Sequence, residues 1–305
     1  MDFSSLLIKL FIFMVLMLVG YFMGRKGILD KQFVKNGSTL LVDVFIFASI
    51  INSVLGSRPE LGRAEFGNAM LLVTLTTIIT YALAYLVALP FAKKENAAQI
   101  EMMFAISNTL FVGLPVASAI YGSESVFYIG MSCVPYNIVL YSYGVWRLKH
   151  DKGDGKIRIK DMLSICLLAS IAALVIFLLN PPIPRLISEL FSTVSAATVP
   201  LSMIIIGASM SAINPAIAFR EKRNYLYSLV KLIVCPVITY LILRNFTDNK
   251  ILLITCTILA GCPTGAIATP LSVQYGYSPE ESSKAIMVTT ILSMFTLPLM
   301  LYIIG

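Results

Sequence analysis

Residues Ser107 to Gly122 read SNTLFVGLPVASAIYG, and residues Gly261 to Gly276 read GCPTGAIATPLSVQYG. Neither stretch carries a charge, and each is about one membrane span long. Each is also interrupted by residues that a helix does not favour. Asn108, Gly113 and Pro115 fall within eight positions; Gly261, Pro263, Gly265 and Pro270 fall within ten. Proline removes a backbone donor and its ring clashes with the preceding turn, so the spacing predicts a break near the centre of each stretch. Inside lipid, the freed N–H and C=O groups must be satisfied by protein or by a water-lined cavity. Paired interrupted spans in corresponding places of two halves point to a transport site between them. The competing reading is two ordinary spans, each kinked by its prolines.

The composition agrees with a membrane setting. Of 305 residues, 58% are hydrophobic and 13% charged, where a soluble domain carries roughly 25% charged residues. Mean hydropathy is +0.86. The charges collect in short loops between continuous, non-alternating apolar runs, so the expected fold is an all-α polytopic membrane protein and not a β-barrel. The first apolar run has no small-residue cleavage site and ends in Gly24-Arg25-Lys26, which reads as a first span and not as a removable signal. Cys133, Cys166, Cys235, Cys256 and Cys262 all lie in apolar runs without a CxxC, as buried thiols do. His150, the single histidine, sits in a charged loop, so histidine catalysis and metal ligation have nothing to build on. With no Ser/His or Cys/His pair and no paired intramembrane carboxylates, an enzyme is not expected.

Neutral runs give ten expected spans, at 4–24, 37–56, 67–92, 101–121, 125–146, 161–179, 193–213, 224–243, 251–275 and 283–303. Placing the N-terminus outside puts sixteen of the 23 Lys and Arg residues in inner loops and six on the outer side, with Lys231 inside a span. That bias predicts both termini outside, in the cell (plasma) membrane. It also accounts for the net charge of +7 without a nucleic-acid partner, since no basic patch carries aromatic platforms. The polar stretch RLKHDKGDGKIRIKD at 147–161 divides the chain into a first five-span unit (1–146), a cytoplasmic connector (147–160) and a second unit (161–305). The connector sets topology, or docks anionic lipid or a cytosolic partner. With five spans per half, a shared fold is an inverted repeat. At an offset of 154, Tyr121-Gly122 falls on Tyr275-Gly276 and Ser118 on Ser272, while Pro115 lies one position from the counterpart of Pro270.

A mid-membrane break exposes two half-helix ends. The amino end presents free N–H groups and partial positive charge, which suits a carboxylate. Candidate ligand-binding residues are therefore Asn108, Thr109, Gly113 and Pro115 in one break, and Pro263, Thr264, Gly265, Thr269 and Pro270 in the other. Asn137, between Tyr136 and Tyr141, is either a packing amide or a pocket residue. Asp43 and Lys231 are intramembrane charges and coupling candidates: Asp43 to pair with Lys231, line the pocket or carry a proton, Lys231 with snorkelling as its alternative. Lys9 reads as a snorkelling residue. Thr74, Thr76, Thr77 and Thr80 read as back-bonded to their own helix, and Gly207-Ala208-Ser209 as a close helix contact.

At these residues the chain resembles the auxin efflux carrier family, which includes bacterial malonate/malate-type permeases and the plant PIN auxin carriers. The resemblance covers essentially the whole chain and rests on SNTLFVGLPVASAIYG (107–122) and AGCPTGAIATPLSVQYG (260–276). VPLSMIIIGASM (199–210) and YNIVLYSYGVW (136–146) support it. It implies ten helices in two inverted five-helix repeats, like the sodium/bile acid symporters, with helices four and nine crossing where they are broken and an elevator-type motion. It implies small organic-anion substrates, places the crossover at Asn108–Pro115 and Pro263–Pro270, and matches Asn137 to the family's fifth-helix asparagine. No cofactor is implied beyond H⁺ or Na⁺ coupling. The partners are a small carboxylate, the bilayer and, by analogy with the plant branch, a second copy in a homodimer. FIFASI (45–50) lacks the proline often found there, and the long plant loop is absent. A passive anion channel or a membrane sensor on the same fold is the alternative function.

Overall fold

The computed structural model describes residues 3–55, 62–91, 96–150, 165–212, 218–219 and 222–304. Most of the expected connector (151–160), the start of the sixth expected span (161–164), and Arg58, Lys93, Lys94 and Arg220 lie outside the described residues. The described chain is helical, with one isolated β-bridge. In order the helices are α1 (Phe3–Arg25), α2 (Lys31–Leu55), α3 (Arg63–Ala88), α4 (Ala97–Ala105), α5 (Thr109–His150) and α6 (Ile165–Leu179). They continue with α7 (Arg185–Ser211), α8 (Asn224–Leu243), α9 (Lys250–Ala260), α10 (Ala268–Gln274) and α11 (Pro279–Ile304).

Six helices (α2, α3, α5, α7, α8 and α11) are long and apolar enough to cross a membrane, and α6 and α9 are shorter apolar helices. Large side chains such as Phe11, Phe22, Leu86, Leu190, Phe295 and Ile303 lie exposed on their outer faces. A water-soluble monomer does not expose that much contiguous apolar surface; hydrocarbon tolerates it. Polar residues that the helices carry are turned inward or onto their own backbone. Thr74, Thr76, Thr77 and Thr80 donate to the carbonyls of Met70, Leu72, Val73 and Thr76 at 2.7–3.1 Å. That is the back-bonding expected of hydroxyls with no water to meet.

Two sets of helices pack side by side. In one, α1 lies along α7, and α2 packs on α6 and on the first half of α7. In the other, α3, α4 and α9 pack on α5, α8 packs on α3, α9 and α11, and α10 packs on α4 and α11. The first set is held by an unusually close approach. A Cβ on Gly207 would sit 1.9 Å from the Met17 carbonyl oxygen, and one on Gly20 2.1 Å from that of Ile204. Small residues there let two backbones touch, as they do where lipid supplies no hydrophobic drive between helices.

α5 is two limbs, 109–121 and 123–150, joined at Gly122 with φ 63° and ψ −145°. Gly276, two residues past the end of α10, has φ 73°. Both are left-handed positions that glycine occupies without steric cost. They are the two glycines that coincide at the 154-residue offset. Four π turns interrupt the described helices, at Leu41–Ile46, Thr109–Gly113, Leu140–Gly144 and Val230–Val234. Such turns are rare and recur at functional sites.

The Gly207 contact leaves no room for a side chain. Gly207→Val is expected to destabilise the protein by about 1–3 kcal/mol. Gly67→Ala, on α3 with open space around the position, is expected to be neutral or slightly stabilising. Thermal melting of both variants in detergent checks the contrast.

Candidate functional site

α4 and α9 both stop where the chain enters the centre of the second helix set. α4 ends at Ala105, and Ile106 turns to extended backbone (φ −73°, ψ 103°). α9 ends at Ala260, and the chain stays non-helical until α10 begins at Ala268. The two interruptions run antiparallel and hydrogen-bond to each other. Ser107 and Thr264 form a β-bridge, the Asn108 N–H donates to the Pro263 carbonyl (2.7 Å), and the Gly265 N–H donates to the Ile106 carbonyl (2.9 Å). Backbone groups that no helix serves therefore serve one another. Gly265 allows it: a Cβ there would lie 3.0 Å from Ile106 Cγ2 and 3.2 Å from the Ser107 carbonyl oxygen.

The breaks fall earlier than the prolines alone suggest. Gly113 and Pro115 are helical, and Pro115 stands at the start of an α-helical run after the π turn Thr109–Gly113, in which the Leu114 N–H reaches back to the Thr109 carbonyl. Pro270 is the third residue of α10; its side chain is outside what is described. Proline is tolerated in a first helical turn because its missing N–H has no partner there. Pro270 stands in such a first turn, while Pro115 follows the π turn that opens its limb at Thr109. In the first stretch the interruption is carried by Ile106, Ser107 and Asn108 (φ −81°, ψ 58°).

Beside the crossing lies a cavity of about 190 Å³ lined by residues 107–111, Cys133, Tyr136, Asn137, Leu140, Tyr141 and residues 265–267, with Val42 and Cys166 closing it from α2 and α6. Four of the sequence candidates meet here: Asn108, Thr109, Asn137 and Gly265. The Asn108 carbonyl accepts from Val112 and Gly113 (3.1 and 3.2 Å), so the N–H groups of Thr109, Leu110 and Phe111 form the open amino end of the limb, beside the cavity. Asn137 is buried, and its amide donates to the Cys133 carbonyl at 2.7 Å.

The other candidates stand behind this wall. Gly113 packs on Cys262, whose sulfur would be 2.8 Å from a Cβ, and Pro115 is buried one turn on. Pro263 contributes its carbonyl to the crossing. Thr264 is buried; its hydroxyl contacts the Met103 carbonyl (3.1 Å) and the Tyr227 hydroxyl (2.8 Å), and its N–H donates to Thr289 Oγ1 (3.1 Å). Thr269 faces Ser283 (3.4 Å).

The two intramembrane charges are not a pair: no ion pair joins Asp43 and Lys231. Asp43 is exposed on its π turn. Lys231 does not snorkel; it is fully buried. Its ammonium donates to the Phe104 carbonyl and to Ser107 Oγ (3.1 Å), and lies 5.1 Å from the Phe104 ring centroid. It thus caps the carbonyl end of α4, where the helix dipole favours a cation, and stands one hydroxyl away from the cavity. Lys9 is exposed and donates to the Ala119 carbonyl.

Ser107, which relays Lys231 to the cavity, is not among the sequence candidates, and neither is Glu101. Glu101 is fully buried on α4, accepting from Arg147 Nε (2.9 Å) and from the Tyr143 hydroxyl. Its signal in the sequence is an acid at the edge of an apolar run, with its arginine 46 residues away in a stretch read as loop.

The chain is similar to known membrane transport proteins. The family model described as "Membrane transport protein" matches residues 5–165 and 154–301. An uncharacterized transporter of Methanocaldococcus jannaschii is 25% identical over 302 residues, 94% of this chain and 95% of the relative. An uncharacterized transporter of Methanothermobacter thermautotrophicus is 23% identical over 296 residues, covering 94% of each chain. A Rhizobium meliloti protein named "Putative malonate transporter" is 29% identical over 126 residues, 41% of this chain and 38% of its own. This is a multi-pass membrane protein, and the chain belongs to the membrane transport protein family, that of the auxin efflux carriers.

Proposed function

We propose that the protein is a secondary carrier of small organic anions, working by elevator-type alternating access. The observation that carries this reading is the cavity at the crossing, which opens onto the amino end of the limb 109–121 and is lined by Asn108, Thr109 and Asn137. A helix amino end of this kind holds a carboxylate through N–H groups and dipole. Asn108 and Asn137 orient it, and Lys231 acts on it through Ser107 from behind the wall. The volume corresponds to roughly six waters, the scale of a short-chain acid, and the Rhizobium relative's name supplies malonate as the first solute to try.

The same reading covers the architecture. It takes the chain as ten spans in two inverted units (1–146 and 161–305) joined by the connector 147–160, in the plasma membrane with both termini outside. The matching left-handed glycines, Gly122 and Gly276, support it. In this scheme the set of α3, α4, α8, α9, α10 and α11 moves against the set of α1, α2, α6 and α7, and the cavity lies between them. Coupling to H⁺ or Na⁺ and assembly as a homodimer belong to the same proposal; no cofactor is invoked.

Thermal stabilisation of the purified protein by mono- and dicarboxylates at two pH values tests it. A ligand at 100 times its Kd adds roughly 2.7 kcal/mol if it binds only the folded state. A shift selective for malonate- or malate-like acids is expected, as is its loss in Asn108→Ala; a wild-type shift in that variant removes Asn108 from the site. Counterflow of labelled acid in proteoliposomes separates a carrier from a channel or sensor.

Lys231→Met leaves the Phe104 carbonyl and Ser107 hydroxyl without their donor, at an expected cost of about 1–3 kcal/mol in stability. It should also weaken dicarboxylates more than monocarboxylates in the same melting assay. Gly265→Val should separate the two breaks and abolish counterflow, measured at matched reconstitution levels.

A further inference from the structure

A second cavity, of about 300 Å³, lies between α2, the two limbs of α5 on either side of Gly122, and the middle of α7. Its wall is polar yet uncharged: Ser49, Asn52, Ser53, Ser195 and Thr198 face Ser118 and Ser123 of α5, and no charged side chain lines it among the described residues. What matters is where the protons of those groups go. Thr198 donates to the Phe45 carbonyl (2.9 Å). Ser49, 2.7 Å from Thr198 Oγ1, must then be the donor of that pair. Ser53 donates to the Ile50 carbonyl (2.6 Å) and Ser195 to that of Ser192 (3.0 Å). The Asn52 amide N–H is aimed at Ser195 Oγ (3.3 Å).

The protons of Ser49, Ser53, Ser195 and Thr198 are therefore committed to the protein, and these four oxygens are left with lone pairs to offer. A fifth oxygen is unserved: Asn52 Oδ1 is buried and has no hydrogen-bond partner. A buried acceptor left unpaired costs about 1–3 kcal/mol, which a ligand bearing positive charge or donors recovers. An anion finds no cationic side chain here among the described residues. Divalent ions usually take carboxylate oxygens, which this wall lacks. Neutral hydroxyl and amide oxygens suit a singly charged hard cation, and a space of roughly ten water volumes lets it keep part of its hydration shell.

We propose that this cavity is a binding site for an alkali-metal cation of the Na⁺ class, held by Asn52 Oδ1 with the hydroxyl oxygens of Ser49, Ser53, Ser195 and Thr198 and by retained waters. The site is separate from the crossing, and its occupancy does not depend on which organic solute the protein moves. Because it joins α2 and α7 to α5, a bound cation ties the two helix sets together.

The test is melting of the purified full chain in NaCl, KCl and choline chloride at equal ionic strength, with no organic acid present. Na⁺ is expected to give a saturable stabilisation that choline does not. In Asn52→Leu the half-saturating concentration should rise about tenfold or more. Asn52→Asp, which adds a carboxylate to the same position, should extend the response to Ca²⁺. No cation-specific shift in the wild type overturns the proposal, and so does a Na⁺ shift that Asn52→Leu leaves in place. If Asn52→Leu fails to fold, a Ca²⁺-insensitive Asn52→Asp overturns it. The carboxylate panel run in choline reports on the crossing alone, so failure of one site is read independently of the other.

Discussion

Two backbone hydrogen bonds, from Asn108 to Pro263 and from Gly265 to Ile106, are the constraint on which the rest of this architecture depends. Hydrocarbon offers no partner to a free amide, so an interrupted helix is stable in a membrane only beside something that completes it. Here each interruption completes the other. The arrangement needs a glycine where the chains touch, a threonine whose hydroxyl caps the Met103 carbonyl, and a lysine on the Phe104 carbonyl. Each of these lies far along the chain from the group it serves. The cavity follows from the same constraint, because the amides that begin the limb at Thr109 have no carbonyl one turn back.

Much of this was legible in the sequence. Uncharged stretches with clustered Gly and Pro marked both interrupted segments, and the threonine ladder of α3 and the small residues of α7 behaved as their surroundings dictate. Less legible was where the breaks begin. Proline disfavours helix interiors, yet Pro270 stands in the first turn of α10, where a missing N–H costs little, and Pro115 directly follows the π turn that opens its limb. The actual departure at Ile106–Asn108 has no strong sequence signature. It is imposed by pairing with residues some 155 positions away, which local pattern does not encode.

The charged residues show the same limit. Lys231 lies near enough to the end of its run to reach the interface, and nothing local says that it points inward instead. Its burial depends on the α4 carbonyl end and on Ser107, both supplied by a distant segment. Glu101 was hidden for a related reason: its partner Arg147 belongs to a stretch that reads as loop but continues α5 to His150. The π turns at Leu41, Thr109 and Leu140 carry residues of the first cavity's wall, and the one at Val230 carries the lysine.

The mutual completion of the two breaks has a consequence for biosynthesis. Asn108 emerges from the ribosome about 155 residues before Pro263, an interval of roughly 8–30 s at 5–20 residues per second. Throughout that interval the first interruption sits in the bilayer, or at the insertion machinery, with its amides and carbonyls unanswered. α4, nine residues long, reaches only about half-way across the hydrocarbon at 1.5 Å per residue. The nascent first half is thus an open form awaiting its complement. Chains truncated before Gly265 are expected to persist as substrates for membrane quality control, because the group that would close them has not yet been made.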